Sequence, residues 1–279
     1  MQRTMIPRLQ SRLVAASRRN FLLTSLAAFG IACSSGSTAL KPEVCAAPDT
    51  VGLIPTPVAH APFHLLVFTR TLGFRHASIP AAIAAVQVLG AYNNFAVEAT
   101  EDAAAFSDAN LARFAAVLFL NTTGDVLDSA QQAAFQRYIE AGHGFAGVHS
   151  ASDTEYGWPW YHALLGATFK AHPAIQRATV LIVDPAHAST RGLVTPWVRT
   201  DEWYNFTAPP AGVTELAVVA ESTYSGGTMG SPHPISWFHT FDGGRAWYTA
   251  MGHTACSYAE RPFLAHLVGG IEWAAGVVN

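Results

Sequence analysis

From residue 63 onward, short apolar runs alternate with amphipathic stretches, and the junctions carry Gly, Pro, Asn or Asp. Residues 63–69 form a continuous apolar run, suited to a strand buried on both faces. Residues 78–91 carry a helical pattern, with Ser78 placed as a cap and Pro80 in the first turn. A second strand is expected over 96–100, a short helix over 107–114 and an all-apolar third strand over 115–120. Asp128 caps a helix over 129–141 that Gly142 ends, and a fourth strand follows over 144–149. Strand–helix–strand alternation with short joints implies a parallel sheet with right-handed crossovers. In such sheets the ligand crevice lies outside the carboxyl ends of the strands. Residues 69–76, 121–125 and 149–156 therefore become the places to look.

The second half reads differently. Strand-like segments at 179–183, 216–220, 234–241 and 245–250 are joined by long loops rich in Gly and Pro, and Asp242-Gly243-Gly244 is a tight hairpin turn. A helix over 262–275 closes the chain. The expected class is α/β, with a mainly parallel central sheet and antiparallel strands at one edge. The late loops also hold most of the histidines and polar aromatics, which is unusual for connectors.

The first 46 residues read as a targeting segment rather than as part of the fold. Arg12, Arg18 and Arg19 precede an apolar stretch over 21–32, and Ser17-Arg18-Arg19-Asn20-Phe21-Leu22 has the form of a twin-arginine signal. That stretch falls short of the ~20 residues a spanning helix needs. Two exits present themselves: a lipid-modified Cys33, or cleavage after Val44-Cys45-Ala46, which is preferred. Residues 47–62 then form a linker to one domain over 63–279. The expected destination is periplasmic or extracellular, with no transmembrane span in the mature protein.

Removing 1–46 leaves 10 basic and 18 acidic residues, a net charge of about −8. Such a domain has no electrostatic footprint for nucleic acid or for an anionic membrane. Only Cys256 remains as a thiol, which makes no disulfide framework.

Five stretches could carry chemistry. Gly147-Val148-His149-Ser150-Ala151 runs out of a buried strand like a nucleophile elbow with His at its apex, and Asp153 follows. His172 stands in a loop beside Pro173. Arg199-Thr200-Asp201-Glu202-Trp203-Tyr204 clusters charge in a chain whose charged residues are only 13% of the total. His233 and His253 lie beside strand ends in Gly/Pro contexts. Each histidine alone is more often a packing residue; together, with Asp153 and Glu202, they suit a divalent ion or general acid/base work. The metal expectation is zinc on some of His149, His172, His233 and His253, with His149, Asp153 and Glu202 as catalytic groups. Trp203 and Tyr156 are expected to face a sugar, since aromatic rings stack on its C–H faces, and the other Trp and Tyr residues to pack. Ser150 as a serine nucleophile is a further alternative.

The same stretches, together with Phe74-Arg75-His76, His233-Pro234-Ile235-Ser236-Trp237 and Gly252-His253-Thr254, resemble in order and content the motifs of the ThuA-like (trehalose utilisation) family. The resemblance implies the class I glutamine-amidotransferase-like fold, a flavodoxin-like three-layer sandwich. It also implies action on disaccharides or related glycosides through 3-keto-sugar intermediates, with His76 and Asp201 among the substrate-binding residues. A sugar dehydrogenase would be a pathway partner. Where better-known members of that fold place a catalytic Cys, this chain has His149, so Cys-dependent glutamine hydrolysis is excluded. The competing reading is a non-catalytic periplasmic sugar-binding module.

Overall fold

The computed structural model describes residues 58–279; the leader over 1–46, the lipid site at Cys33 and most of the 47–62 linker lie outside the described residues. The first half follows the alternation: β1 (Phe63–Phe68), α1 (Ile79–Tyr92), β2 (Phe95–Thr100), α2 (Asp108–Leu111), β3 (Ala116–Leu120), α3 (Ser129–Glu140) and β4 (Gly144–Val148). Then come α4 (Pro159–Leu165), β5 (Phe169–Ala171), β6 (Gln176–Ile182), β7 (Trp197–Asp201), β8 (Asn205–Phe206), β9 (Thr214–Val219), β10 (Pro234–Phe241), β11 (Gly244–Thr249) and α5 (Arg261–Ala274).

Nine strands form one sheet in the order β2-β1-β3-β4-β11-β10-β9-β6-β7, and β5 pairs with β8 in a separate ribbon. β2, β1, β3, β4 and β11 run parallel, while β11, β10, β9, β6 and β7 pair antiparallel. The mixed sheet expected from the two halves of the sequence is thus present. Its edge strand β2 is largely open to solvent, whereas the central parallel strands β3 and β4 are buried at every position. That is what continuous apolar runs require, because a strand covered by helices on both faces has no solvent side.

Local signals explain most boundaries. Asp128 caps α3 through a complete capping box with Gln131. Pro80 occupies the first turn of α1, where its missing N–H costs nothing. Ser78, however, makes no cap; its hydroxyl accepts instead from the Asn121 side chain at 3.0 Å. Asp242 and Gly243, at φ 51° and 93°, make the β10–β11 turn of the primed type that matches strand twist. Two expectations need correction. The 107–114 helix shrinks to the single turn of α2, and Cys256 is disulfide-bonded rather than a free thiol. The chain's other cysteines, Cys33 and Cys45, lie outside the described residues. No helix among the described residues is long and apolar enough to cross a membrane.

The crossover through α1 runs from β1 outward to β2, whereas the one through α3 runs from β3 the other way to β4. Right-handed connections then put α1 and α3 on opposite faces and leave a switch point between β1 and β3. The crevice opens at the carboxyl ends of those strands.

Candidate metal and sugar site

His149 is the first residue past β4 and begins a 3-10 turn, His149–Asp153. Its φ of 54° is uncommon for a non-glycine residue and turns the side chain out of the strand line. The imidazole is 0% exposed. Its Nδ1 lies 2.8 Å from the Ala250 carbonyl, an acceptor only, so Nδ1 carries the proton and Nε2 keeps a lone pair. Three groups converge on that lone pair: the Tyr204 hydroxyl donates from 2.9 Å, His253 Nδ1 is at 3.1 Å and Glu202 Oε2 at 3.5 Å. Glu202 Oε2 is also 3.0 Å from His253 Nδ1, and Oε1 is 2.9 Å from His172 Nδ1. His76, from the loop after β1, closes the group, its ring edge-to-face with His149 and His253 at centroid distances of 4.8 and 5.0 Å.

Ligand atoms of His76, His149, Glu202 and His253 lie within 4.8 Å of one another. Atoms sharing one tetrahedral zinc ion at about 2.0–2.2 Å are ~3.3–3.6 Å apart, so the widest pair must close by about 1 Å to bind it. The electrostatics agree with that use. Burial, reinforced by the neighbouring His149 and His253, lowers His76 to about 2, so it is a neutral imidazole at neutral pH. Burial works against ionisation of Glu202, but the imidazoles of His149 and His253 beside it overcome that and hold the carboxyl well below its usual range. A neutral imidazole and an ionised carboxylate are protonation states a divalent ion takes.

Not every expected residue joins this group. His172 stands at the rim, its side chain 42% exposed, and holds the outer oxygen of Glu202. His233 is not brought in: its Nε2 donates to the Tyr204 carbonyl at 2.8 Å, and its Nδ1 faces Glu221 at 2.9 Å and Tyr224 at 3.0 Å. It buttresses the backbone under Tyr204 instead. Asp201 is fully buried and unavailable to substrate. It accepts from the amides of Gly252 at 2.8 Å, His253 at 3.1 Å and Glu202 at 2.9 Å, and pairs with Arg199 at 3.1 Å. It therefore sets the loop that presents His253. Gly252 within that loop has φ 111°, and a Cβ there would stand 2.9 Å from the Tyr258 hydroxyl. Trp203 is 1% exposed with its indole N–H donated to Gln176, which leaves no face for a sugar. Tyr156 is half exposed, and its hydroxyl donates to Asp153. Burial raises the Asp153 carboxyl above its ordinary value, against the hydrogen bond from Tyr156. Ser150 is fully buried, 3.4 Å from His76 Nδ1, a long contact for a nucleophile and its base.

Two residues take parts that the sequence did not assign them. His76 was expected to touch substrate and instead belongs with the ion-holding group. Tyr204 was expected to pack, yet its hydroxyl sits on His149; the charge-rich 199–204 stretch was the available signal.

A family model described as ThuA, trehalose utilisation, matches residues 64–274. The chain belongs to the ThuA family. That membership connects it to a carbohydrate-related role. Among solved structures, a ThuA-like protein from Bacteroides uniformis aligns with a TM-score of 0.66 at 24% identity, over 79% of this chain and 94% of that one. Another from Parabacteroides merdae gives 0.65 at 19%, over 78% and 92%. A Salmonella typhimurium protein gives 0.55 at 8%, over 78% and 100%. At these identities the likeness is one of fold, the flavodoxin-like ThuA fold. No curated protein matches the chain.

Proposed function

We propose that this ThuA-family protein is an exported, metal-assisted enzyme acting on keto-disaccharides or related keto-glycosides. The carrying observation is the meeting of two buried imidazoles, the partly buried imidazole of His253 and one buried carboxylate at the strand ends, with ligand atoms inside 4.8 Å. His76, His149, Glu202 and His253 would hold the ion, and zinc suits the donor set best. Bound there, such an ion supplies Lewis-acid polarisation of a sugar carbonyl or hydroxyl.

The protein's own groups divide the remaining work. Glu202, held ionised by its imidazole partners, is a poor proton acceptor. Asp153, with its carboxyl raised by burial, is the better base for the proton on the carbon next to a keto group. Loss of that proton lets the neighbouring glycosidic C–O bond break; the departing oxygen takes up a proton, and water added across the new double bond completes net hydrolysis. Isomerisation would use the same groups. A keto substrate implies prior oxidation of the sugar, hence a sugar dehydrogenase as pathway partner.

Export rests on the twin-arginine pattern and is supported by the disulfide at Cys256, a bond that persists in oxidising compartments. The test is the metal content of the purified protein before and after chelation, with turnover of a 3-keto-disaccharide followed in both forms. Stoichiometric metal whose removal abolishes turnover is expected. Full turnover by His149→Ala and Glu202→Ala variants would sink the site.

A further inference from the structure

The burial of Trp203 leaves Tyr156 alone in solvent of the two rings expected to stack on a sugar, and Phe74 offers a second exposed ring next to His76. We propose that Phe74 is the platform on which the substrate's pyranose ring stacks, so that it determines specificity at the mouth of the site. The proposal rests on the carbohydrate reading above and deepens it.

Phe74 is 66% exposed. Its ring meets His76 edge-to-face at 4.9 Å, one side chain away from the ion-holding group. A single exposed apolar residue is ordinary on any surface; the way this one is held is not. The turn that carries it is fastened along its length to the loop after β3. Leu72 N donates to the Thr123 carbonyl at 2.8 Å, Gly73 N to Thr123 Oγ1 at 3.2 Å, and Thr123 Oγ1 to the Phe74 carbonyl at 2.8 Å. Gly73 and Gly124 press together closely enough that a Cβ on either would lie 3.2–3.3 Å from the opposite loop. Arg75, next along, pairs with Glu101 at 2.6 Å. The backbone is thus fixed while the ring is left in solvent, which is pre-organisation without an occupant.

Two further apolar side chains share the exposure. Leu72, on the same turn, is 59% exposed, and Tyr156, fastened to Asp153, is 48% exposed. Exposed rings and apolar side chains of this kind suit the C–H face of a sugar, whose hydroxyls would pair with polar groups.

Three variants decide it: Phe74→Ala, Phe74→Trp and Phe74→Leu. Binding of trehalose and of its 3-keto derivative is measured by calorimetry, with turnover, metal content and melting temperature followed alongside. Phe74→Ala is expected to weaken binding and raise KM about tenfold (~1.4 kcal/mol), with kcat, metal content and melting temperature unchanged. Phe74→Trp should restore affinity, and Phe74→Leu, apolar but not aromatic, should not. Wild-type affinity in Phe74→Ala overturns the proposal, as does full rescue by leucine or a wild type that binds neither sugar. An aromatic-dependent binding loss without any turnover in the wild type would uphold the platform and refute the enzyme reading instead.

Discussion

Replacing Asp201 by Asn separates two roles that the residue cannot hold together. A substrate-binding carboxylate would lose affinity on neutralisation while the fold stayed intact. The buried carboxylate described above would instead lose a charge that faces Arg199 at 3.1 Å, both side chains being at most 1% exposed. Breaking a buried pair by removing one partner costs ~3–5 kcal/mol. Glu260 still reaches Arg199 at 3.1 Å, which places the expected loss at the lower end, about 3 kcal/mol. The amide nitrogen of Asn also cannot accept from Gly252, His253, Ser257 or Glu202, so at least one donor loses its partner. For a domain of this size each kcal/mol moves the melting temperature by ~2–4 °C, giving a fall of about 6–12 °C. Calorimetric melting of the wild type and Asp201→Asn at pH 7 reads it directly. A melt within about 2 °C of wild type, combined with loss of sugar affinity, would refute the structural role and return Asp201 to the substrate.

Other outcomes follow from the same geometry. Burial lowers His266 to about 3 and His187 to about 4. Because these values lie below the unfolded value of 6.5, the unfolded chain takes up the protons first as pH falls. Stability is therefore complete above about pH 6.5 and lost below it, with His266 alone removing about 2 kcal/mol by pH 5; a urea midpoint that stays flat from pH 7 to 5 would contradict this. Asp128→Ala removes the capping box of α3 and should cost about 1 kcal/mol in urea unfolding, with no change in metal content. Chelation should leave the fold intact with His76 still a neutral imidazole at pH 7, since burial without any ion already lowers it to about 2; ring protons that show protonation at pH 7 in the chelated protein would contradict this.

The parallel half of the sheet was legible because burial on both faces writes itself as unbroken apolar runs, as in β3, and because Asp128 and Pro80 mark helix starts. β7 was not, for a physical reason. Its inward positions carry Arg199 and Asp201, a buried pair, so the segment reads as a charged motif rather than a strand. The same substitution of a pair for apolar side chains made Asp201 look like a substrate ligand. His149, Glu202 and His253 were singled out by residue type and position near strand ends, and their ligand atoms do meet, with that of His76, within 4.8 Å. His76 enters the cluster and His233 stays out of it because company, not chemistry, separates them: one loop folds back onto β4's end and the other under Tyr204. Trp203 was misread since a loop sequence does not reveal which side of the chain faces inward.

The disulfide at Cys256 ties the described domain to the redox state of its surroundings: such a bond persists where the compartment oxidises and opens where thiols are kept reduced.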